Sequence, residues 1–142
     1  MKKIAIIDGP NLNLLGKREP GIYGTQTTQD MLAEVTAAVG DDIHVDYLQS
    51  NHEGEIIDAL HQIGFDTDTY LGIILNAGAY THTSLAIADA IAAIRVPVIE
   101  VHISNVQARE EIRHRSLIAP VCRGTIAGLG IRGYALAALA LL

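Results

Sequence analysis

The sequence predicts an α/β protein, an open parallel sheet with helices on both faces. Apolar runs of strand length alternate with segments of helical period along the whole chain, the pattern of repeated βαβ units. A length of 142 residues suits one domain, residues 1–142, around one core. Right-handed crossovers restrict such a chain to a few layouts.

Taken in order, Lys3 to Ile7 (KIAII) is the first strand. TQDMLAEVTAAV follows, with Met31, Leu32, Val35, Ala38 and Val39 on one helical face. IHVDYL, Ile43 to Leu48, alternates like a strand. EGEIIDALHQI sets Ile56, Ile57, Leu60 and Ile63 on one face, and Ser50 and Glu53 have capping-box spacing before it. LGIIL, Leu71 to Leu75, is the third strand. SLAIADAIAAI is so apolar that burial on two sides is expected. PVIEVHI is the fourth strand, and VQAREEIRHR is a short polar helix. GTIAGLG supplies a fifth strand before the closing helix GYALAALALL. Five βα units of this length favour the flavodoxin-like order 2-1-3-4-5, a three-layer αβα sandwich.

Ligands of such sheets bind at the carboxyl ends of the strands. Those ends are Asp8–Asn13, Gln49–Asn51, Asn76–Tyr80 and Glu100–Asn105, which are also the unusual polar parts of the chain.

Composition narrows the function classes. The chain is 49% hydrophobic with no Trp and one Phe, so Ile, Leu, Val and Ala build the interior. That is more aliphatic surface than one small core readily hides, which points to a subunit interface. A formal charge of −6 with no basic run argues against a nucleic-acid partner. The lone Cys122 excludes an internal disulfide and suits a reducing cytoplasm. The apolar run Ile4 to Ile7 is too short for a signal peptide. YALAALALL is under half a membrane span, so no membrane partner is expected.

GLGIRG, Gly128 to Gly133, matches a dinucleotide fingerprint letter for letter, but only nine residues follow it. The required acidic residue about 20 positions on is missing, so it reads as a tight turn. No Walker A sequence occurs. His82, His102, His114 and Cys122 lack metal-ligand spacing.

The stretch GPNLNLLGKREPGIYG, Gly9 to Gly24, carries Arg18 and Tyr23 in one loop. A guanidinium within about 4–6 Å of a phenol favours the phenolate, and the phenolate is the form that works as a base. A tyrosine that merely packs under a loop is the commoner meaning of such a pair. Gly16, Pro20, Gly21 and Gly24 suit a closing lid.

GPNLNLLGKREPGIYG, QSNHEGEIID, NAGAYTHTS, EVHISN and GYALAALAL occur in that order between Ile4 and Ala140. Five separated motifs in sequence make the chain closely resemble the type II 3-dehydroquinate dehydratases. The resemblance implies a flavodoxin-like fold, a cytoplasmic twelve-subunit assembly of trimers, no metal and no organic cofactor. The implied reaction is loss of water from 3-dehydroquinate to give 3-dehydroshikimate. Following the family's motifs, Tyr23 is the base, with Arg18 and Arg109 stabilising its charge. His102 is the acid for the leaving hydroxyl, and Glu100, two residues before it on the same strand face, orients it. Asn11 positions a water on the enolate oxygen, an oxyanion-hole device. Ile103 and Ser104 supply backbone donors to the substrate carboxylate where ISN leads into a helix. Ser104 and Gln107 also have capping-box spacing. Asn76 and His82 bind ring hydroxyls or the carboxylate, and Arg113, four residues from Arg109 on the same helix face, meets a hydroxyl. Asp89 is the one charged residue on an apolar helix, where an unpaired carboxylate would be costly. The family's matching aspartate completes the site of a neighbouring subunit.

Ala77 stands where many members have proline, and Ile112 and Leu117 replace commoner aromatic or branched residues. None removes a proposed chemical group. A non-catalytic module of the same fold, for a flavin or nucleotide, is the main rival. It needs aromatic rings to sandwich a flavin, and the strand ends offer mainly Tyr23 and Tyr80. A purely structural oligomer gives no reason for polar groups at four strand ends.

Overall fold

A computed structural model describes residues 1–142. Five parallel strands form one sheet in the order β2-β1-β3-β4-β5. They are β1 (Lys2–Asp8), β2 (Ile43–Gln49), β3 (Tyr70–Asn76), β4 (Val98–His102) and β5 (Gly124–Ala127). The helices are α1 (Pro20–Tyr23), α2 (Thr28–Val39), α3 (Glu53–Gly64), α4 (Leu85–Ala93) and α5 (Arg132–Ala140). This is the order and the layering that the periodicity predicts.

The pleat divides the core in two. Ile4 and Ile6 of β1 pack with Ile74, Val101, Met31, Val35 and Tyr134 beneath α2 and α5. Ala5 and Ile7 point the other way and pack with Ile73, Leu75, Ile56, Leu60, Ile87 and Ile91 beneath α3 and α4. Successive strand residues therefore feed opposite layers, and each fully buried Ile or Leu contributes about 1.5–3 kcal/mol of burial free energy.

Four local expectations are corrected. The polar segment after β4 is no α-helix. It forms two separate 3-10 turns, Val106–Ala108 and Glu111–Arg113, so Arg109 and Arg113 share no helix face. The first turn is capped by Asn105, whose side chain accepts from the Gln107 N–H, and not by Ser104. The N-cap of α3 is His52, and the Ser50 hydroxyl donates to Glu55 instead of capping with Glu53. Helix α4 is buried on one side only: Ile87, Ala88, Ala90 and Ile91 face the core while Leu85, Ala86, Asp89, Ala92 and Ala93 lie open. Asp89 thus meets water within a single chain and carries no burial cost there.

GLGIRG is a turn between β5 and α5, tied to the end of β4. Its Gly128 and Gly130 N–H groups donate to the carbonyls of His102 and Ile103. Ala77 has φ −74°, the value a proline ring imposes, so alanine keeps the same turn. No helix is long and apolar enough to cross a membrane.

Candidate active site

Strands β1, β3 and β4 end side by side, and the loops beyond them enclose a cavity of about 150 Å³. Ten of the residues singled out in the sequence line it: Asn11, Arg18, Tyr23, Asn76, His82, His102, Ile103, Ser104, Arg109 and Arg113. Glu100 lies directly behind, 1% exposed. Asp89 is not among the residues that line this cavity and lies on the open side of α4.

The loop after β1 is held from β2. Gln49 Nε2 donates to the Gly9 carbonyl at 3.1 Å, and the Asn11 N–H donates to Asn51 Oδ1 at 3.0 Å. Asn11 takes φ 68°, a left-handed conformation that asparagine tolerates better than most residues. Its carboxamide is left free at the cavity mouth.

Tyr23 sits at the end of α1, a helical turn inside a segment that reads as loop from its residues. Gly16 (φ 87°) and Gly24 (φ 78°) bracket the segment, positive-φ conformations that cost other residues about 1–3 kcal/mol. Glu19 is also left-handed, φ 37°. Two cations meet the tyrosine in different ways. Arg109 reaches across the cavity and donates to the phenolic oxygen at 2.8 Å. Arg18 lies over the ring face, 4.6 Å from its centroid, while its Nε pairs with Glu19 at 3.3 Å. The direct contact to the oxygen therefore belongs to Arg109, not to the loop's own arginine. Arg109 also donates weakly to Ser104 Oγ at 3.4 Å, and Glu110 bridges it to Arg113. Glu110's own backbone and the Arg113 guanidinium hold that exposed carboxyl below its usual range.

On β4, His102 Nε2 bonds to Glu100 Oε2. A carboxylate only accepts, so Nε2 carries a hydrogen and Nδ1 is left for other partners. Glu100 also accepts from Ser116 at 2.9 Å and Thr125 at 3.1 Å. Burial pushes its carboxyl up, but the bonds from His102, Ser116 and Thr125 outweigh burial and hold it below the usual range. His82 stacks on His102 with centroids 6.2 Å apart, and its Nδ1 donates to the Arg115 carbonyl at 2.8 Å. The Ile103 and Ser104 N–H groups donate to no backbone carbonyl. They flank a single 3-10 turn, so the donors stand without the helix expected behind them.

Asn76 ends β3 beside Asp8, its register partner on β1. Its Nδ2 donates to the Tyr134 hydroxyl at 2.8 Å, and its Oδ1 accepts from the Gly78 N–H at 3.2 Å. Tyr134 in turn donates to Asp8 Oδ1 at 2.7 Å. Sequence reasoning missed Asp8, Tyr134, Ser116 and Thr125. Asp8 at a strand end was the one signal available; the partners lie up to 126 residues apart.

The cavity suits a small polar molecule. Tyr80 is outside the lining and donates its hydroxyl to the Asn51 carbonyl, which leaves Tyr23 without a second tyrosine to sandwich a flavin. Acceptors and donors converge on it from opposite walls, a tyrosine held by arginine on one side and an imidazole held by carboxylate on the other. That is the equipment for moving two protons on one bound ring.

A profile of the family described as "Dehydroquinase class II" matches residues 2–142. The chain is 54% identical over 140 residues to a 3-dehydroquinate dehydratase of Exiguobacterium sp., covering 99% of this chain and 94% of that one. It is 56% identical over 138 residues to one of Bacillus licheniformis, covering 96% and 93%. Among solved structures, a type II dehydroquinase from Butyrivibrio crossotus superimposes with a TM-score of 0.92 at 47% identity, covering 99% of this chain and 97% of that one.

Proposed function

The chain belongs to the class II dehydroquinase family and is a hydro-lyase of the 3-dehydroquinate dehydratase class, and we propose that it works by anti elimination through an enolate. The substrate has a ketone at C3, acidic hydrogens at C2 and a hydroxyl at C1. Tyr23, as phenolate, takes a proton from C2. The electrons of that C–H bond move to the C3 oxygen and give the enolate. The enolate then collapses to an enone, the C1–O bond breaks, and His102 protonates the departing hydroxyl so that it leaves as water.

Each remaining residue has a task in this scheme. Arg109 at the phenolic oxygen and Arg18 over the ring face the negative charge that Tyr23 carries as the base. Asn11 holds a water against the enolate oxygen. Glu100 keeps the His102 ring in one orientation, with Nδ1 aimed at the leaving group. The Ile103 and Ser104 N–H groups, with the Ser104 hydroxyl, receive the substrate carboxylate. Asn76 and His82 bind ring hydroxyls or the carboxylate, and Arg113 meets a hydroxyl. Asp89 acts in a neighbouring subunit's site within a dodecamer of trimers, which would cover the open face of α4. The enzyme works in the cytoplasm without metal or organic cofactor.

The observation that carries the reading is the 2.8 Å bond from Arg109 to Tyr23 across a cavity that His102 also lines. The test is the rise of enone absorbance on adding 3-dehydroquinate to wild type and to Tyr23→Phe. Removing a general base costs about 10²–10⁴-fold in rate, with the melting temperature preserved. Wild-type turnover in Tyr23→Phe would remove the base assignment.

A further inference from the structure

We infer that Asp8 is a positioning residue for substrate binding, one that fixes through the Tyr134 hydroxyl which end of the Asn76 carboxamide faces the cavity and loses that hold when it takes up a proton. The inference rests on the reading of Asn76 as a substrate-binding residue.

Asp8 is fully buried at the end of β1. Its Oδ1 accepts from the Tyr134 hydroxyl at 2.7 Å and its Oδ2 from the Tyr47 hydroxyl at 2.8 Å. A carboxylate accepts and cannot donate, and a phenol has one hydrogen to give. Tyr134 therefore spends its hydrogen on Asp8 and can only accept from Asn76. That leaves the NH₂ end of Asn76 as the sole group able to face Tyr134, and its oxygen falls to the Gly78 N–H at 3.2 Å. One N–H of the carboxamide stays unbound, a donor for an oxygen of the ligand.

Once protonated, Asp8 has a hydrogen of its own. When that hydrogen points to Tyr134, the phenol turns its hydrogen toward Asn76, where only the carboxamide oxygen can receive it. The carboxamide then turns over or loses the bond. The groups facing Asp8 are Tyr47 from β2, Tyr134 from α5 and the uncharged Asn76 from β3, with Thr28 of α2 bonding to Tyr47. No charged side chain is among the causes acting on it. Burial pushes its carboxyl up to about 6 against the bonds from the two tyrosines, so the change falls within an assayable range.

The experiment measures KM and kcat for 3-dehydroquinate from pH 5 to 8 in wild type, Asp8→Asn, Tyr134→Phe and Asn76→Ala. Asp8→Asn keeps the shape and an acceptor for Tyr134 but takes up no proton. Between pH 7.5 and pH 5 the wild-type KM should climb up to about tenfold more than that of Asp8→Asn, the penalty of a binding-competent form populated at one part in ten. The ratio of kcat values should stay flat. Tyr134→Phe breaks the relay, so its KM should be raised already at pH 7.5 and should lack the extra acid rise. If Asp8→Asn does not fold, Tyr134→Phe carries the same comparison. A raised KM in Asn76→Ala together with identical KM profiles for wild type and the relay variants would overturn the inference. An unchanged KM in Asn76→Ala would overturn the reading of Asn76 itself, and the relay with it.

Discussion

Replacing Glu100 with glutamine isolates the charge behind His102. The carboxylate is 1% exposed and receives three donors: His102 and Ser116 on Oε2, Thr125 on Oε1. Glutamine keeps the outline but offers one oxygen and one NH₂ group, so one side of the cluster must face a donor. A hydrogen bond to a charged group nets about 1.5–3 kcal/mol. If that difference is felt at the transition state, where His102 passes its proton, kcat falls about 10- to 150-fold. Ser116→Ala and Thr125→Val each remove one bond to the same carboxylate but leave its charge and its bond to His102 in place, so they set the scale for loosened bracing alone. The assay is the initial rate of enone absorbance at saturating and limiting 3-dehydroquinate, with thermal melts as the fold control. Glu100→Gln should fall below both controls in kcat with little change in KM. A kcat within twofold of wild type, or equal to that of the weaker controls, would refute the role of the charge.

Asp8 predicts an unusual stability profile. Its carboxyl titrates near 6 when folded against 3.8 for the free group, so its contribution is fully present below about pH 4 and is lost as pH rises through 6. The difference amounts to about 3 kcal/mol; urea melts at fixed concentration should show Asp8→Asn gaining on wild type by up to that amount from pH 4 to 7. Glu100 has the opposite sign: its depressed carboxyl adds stability above the ordinary carboxyl range that is lost as pH falls, and Glu100→Gln should flatten that acid-side loss in the same melts. Gly24→Ala places a methyl group at φ 78°, ψ −177°, a region essentially reserved for glycine, with open space around it, so stability should drop by about 1–3 kcal/mol from backbone strain alone, read as a lowered urea midpoint. Asp89→Ala should leave the far-ultraviolet circular dichroism of the fold unchanged, because the side chain is exposed in the single chain, yet lower turnover through its place in a neighbouring subunit's site; unaltered kcat and KM would remove that role.

The sheet was legible because its signals are local. A five-residue apolar run such as LGIIL, or the spacing of Met31 and Val35, reports burial within one turn or one pleat. The polar segment 106–115 misled for the same reason. Its charges at four-residue spacing fit a helix, but the backbone closes two short turns instead, Arg109 N–H donating to the Val106 carbonyl and His114 N–H to the Glu111 carbonyl, while the Gln107 and His114 side chains tie the segment across to the His114 and Arg109 carbonyls. On α4 the apolar composition suggested two covered sides, whereas a single chain supplies only one. In the site, the residues that line the cavity could be named from motifs. The bracing could not, since nothing in a linear string relates Tyr134 to Asp8, or Thr125 to Glu100. Arg109's pairing with Tyr23, 86 residues away, was legible only through the family motifs, since no spacing in the string joins the two.

The reagents hang from β1, β3 and β4, while the outermost strands contribute only struts: Tyr47, Gln49 and the nearby Asn51 on one flank, Thr125 on the other. Peripheral strands fray first when a sheet is weakened. Mild denaturant should therefore blunt turnover while circular dichroism still reports an intact sheet, since the groups that react would remain in place but lose what aims them.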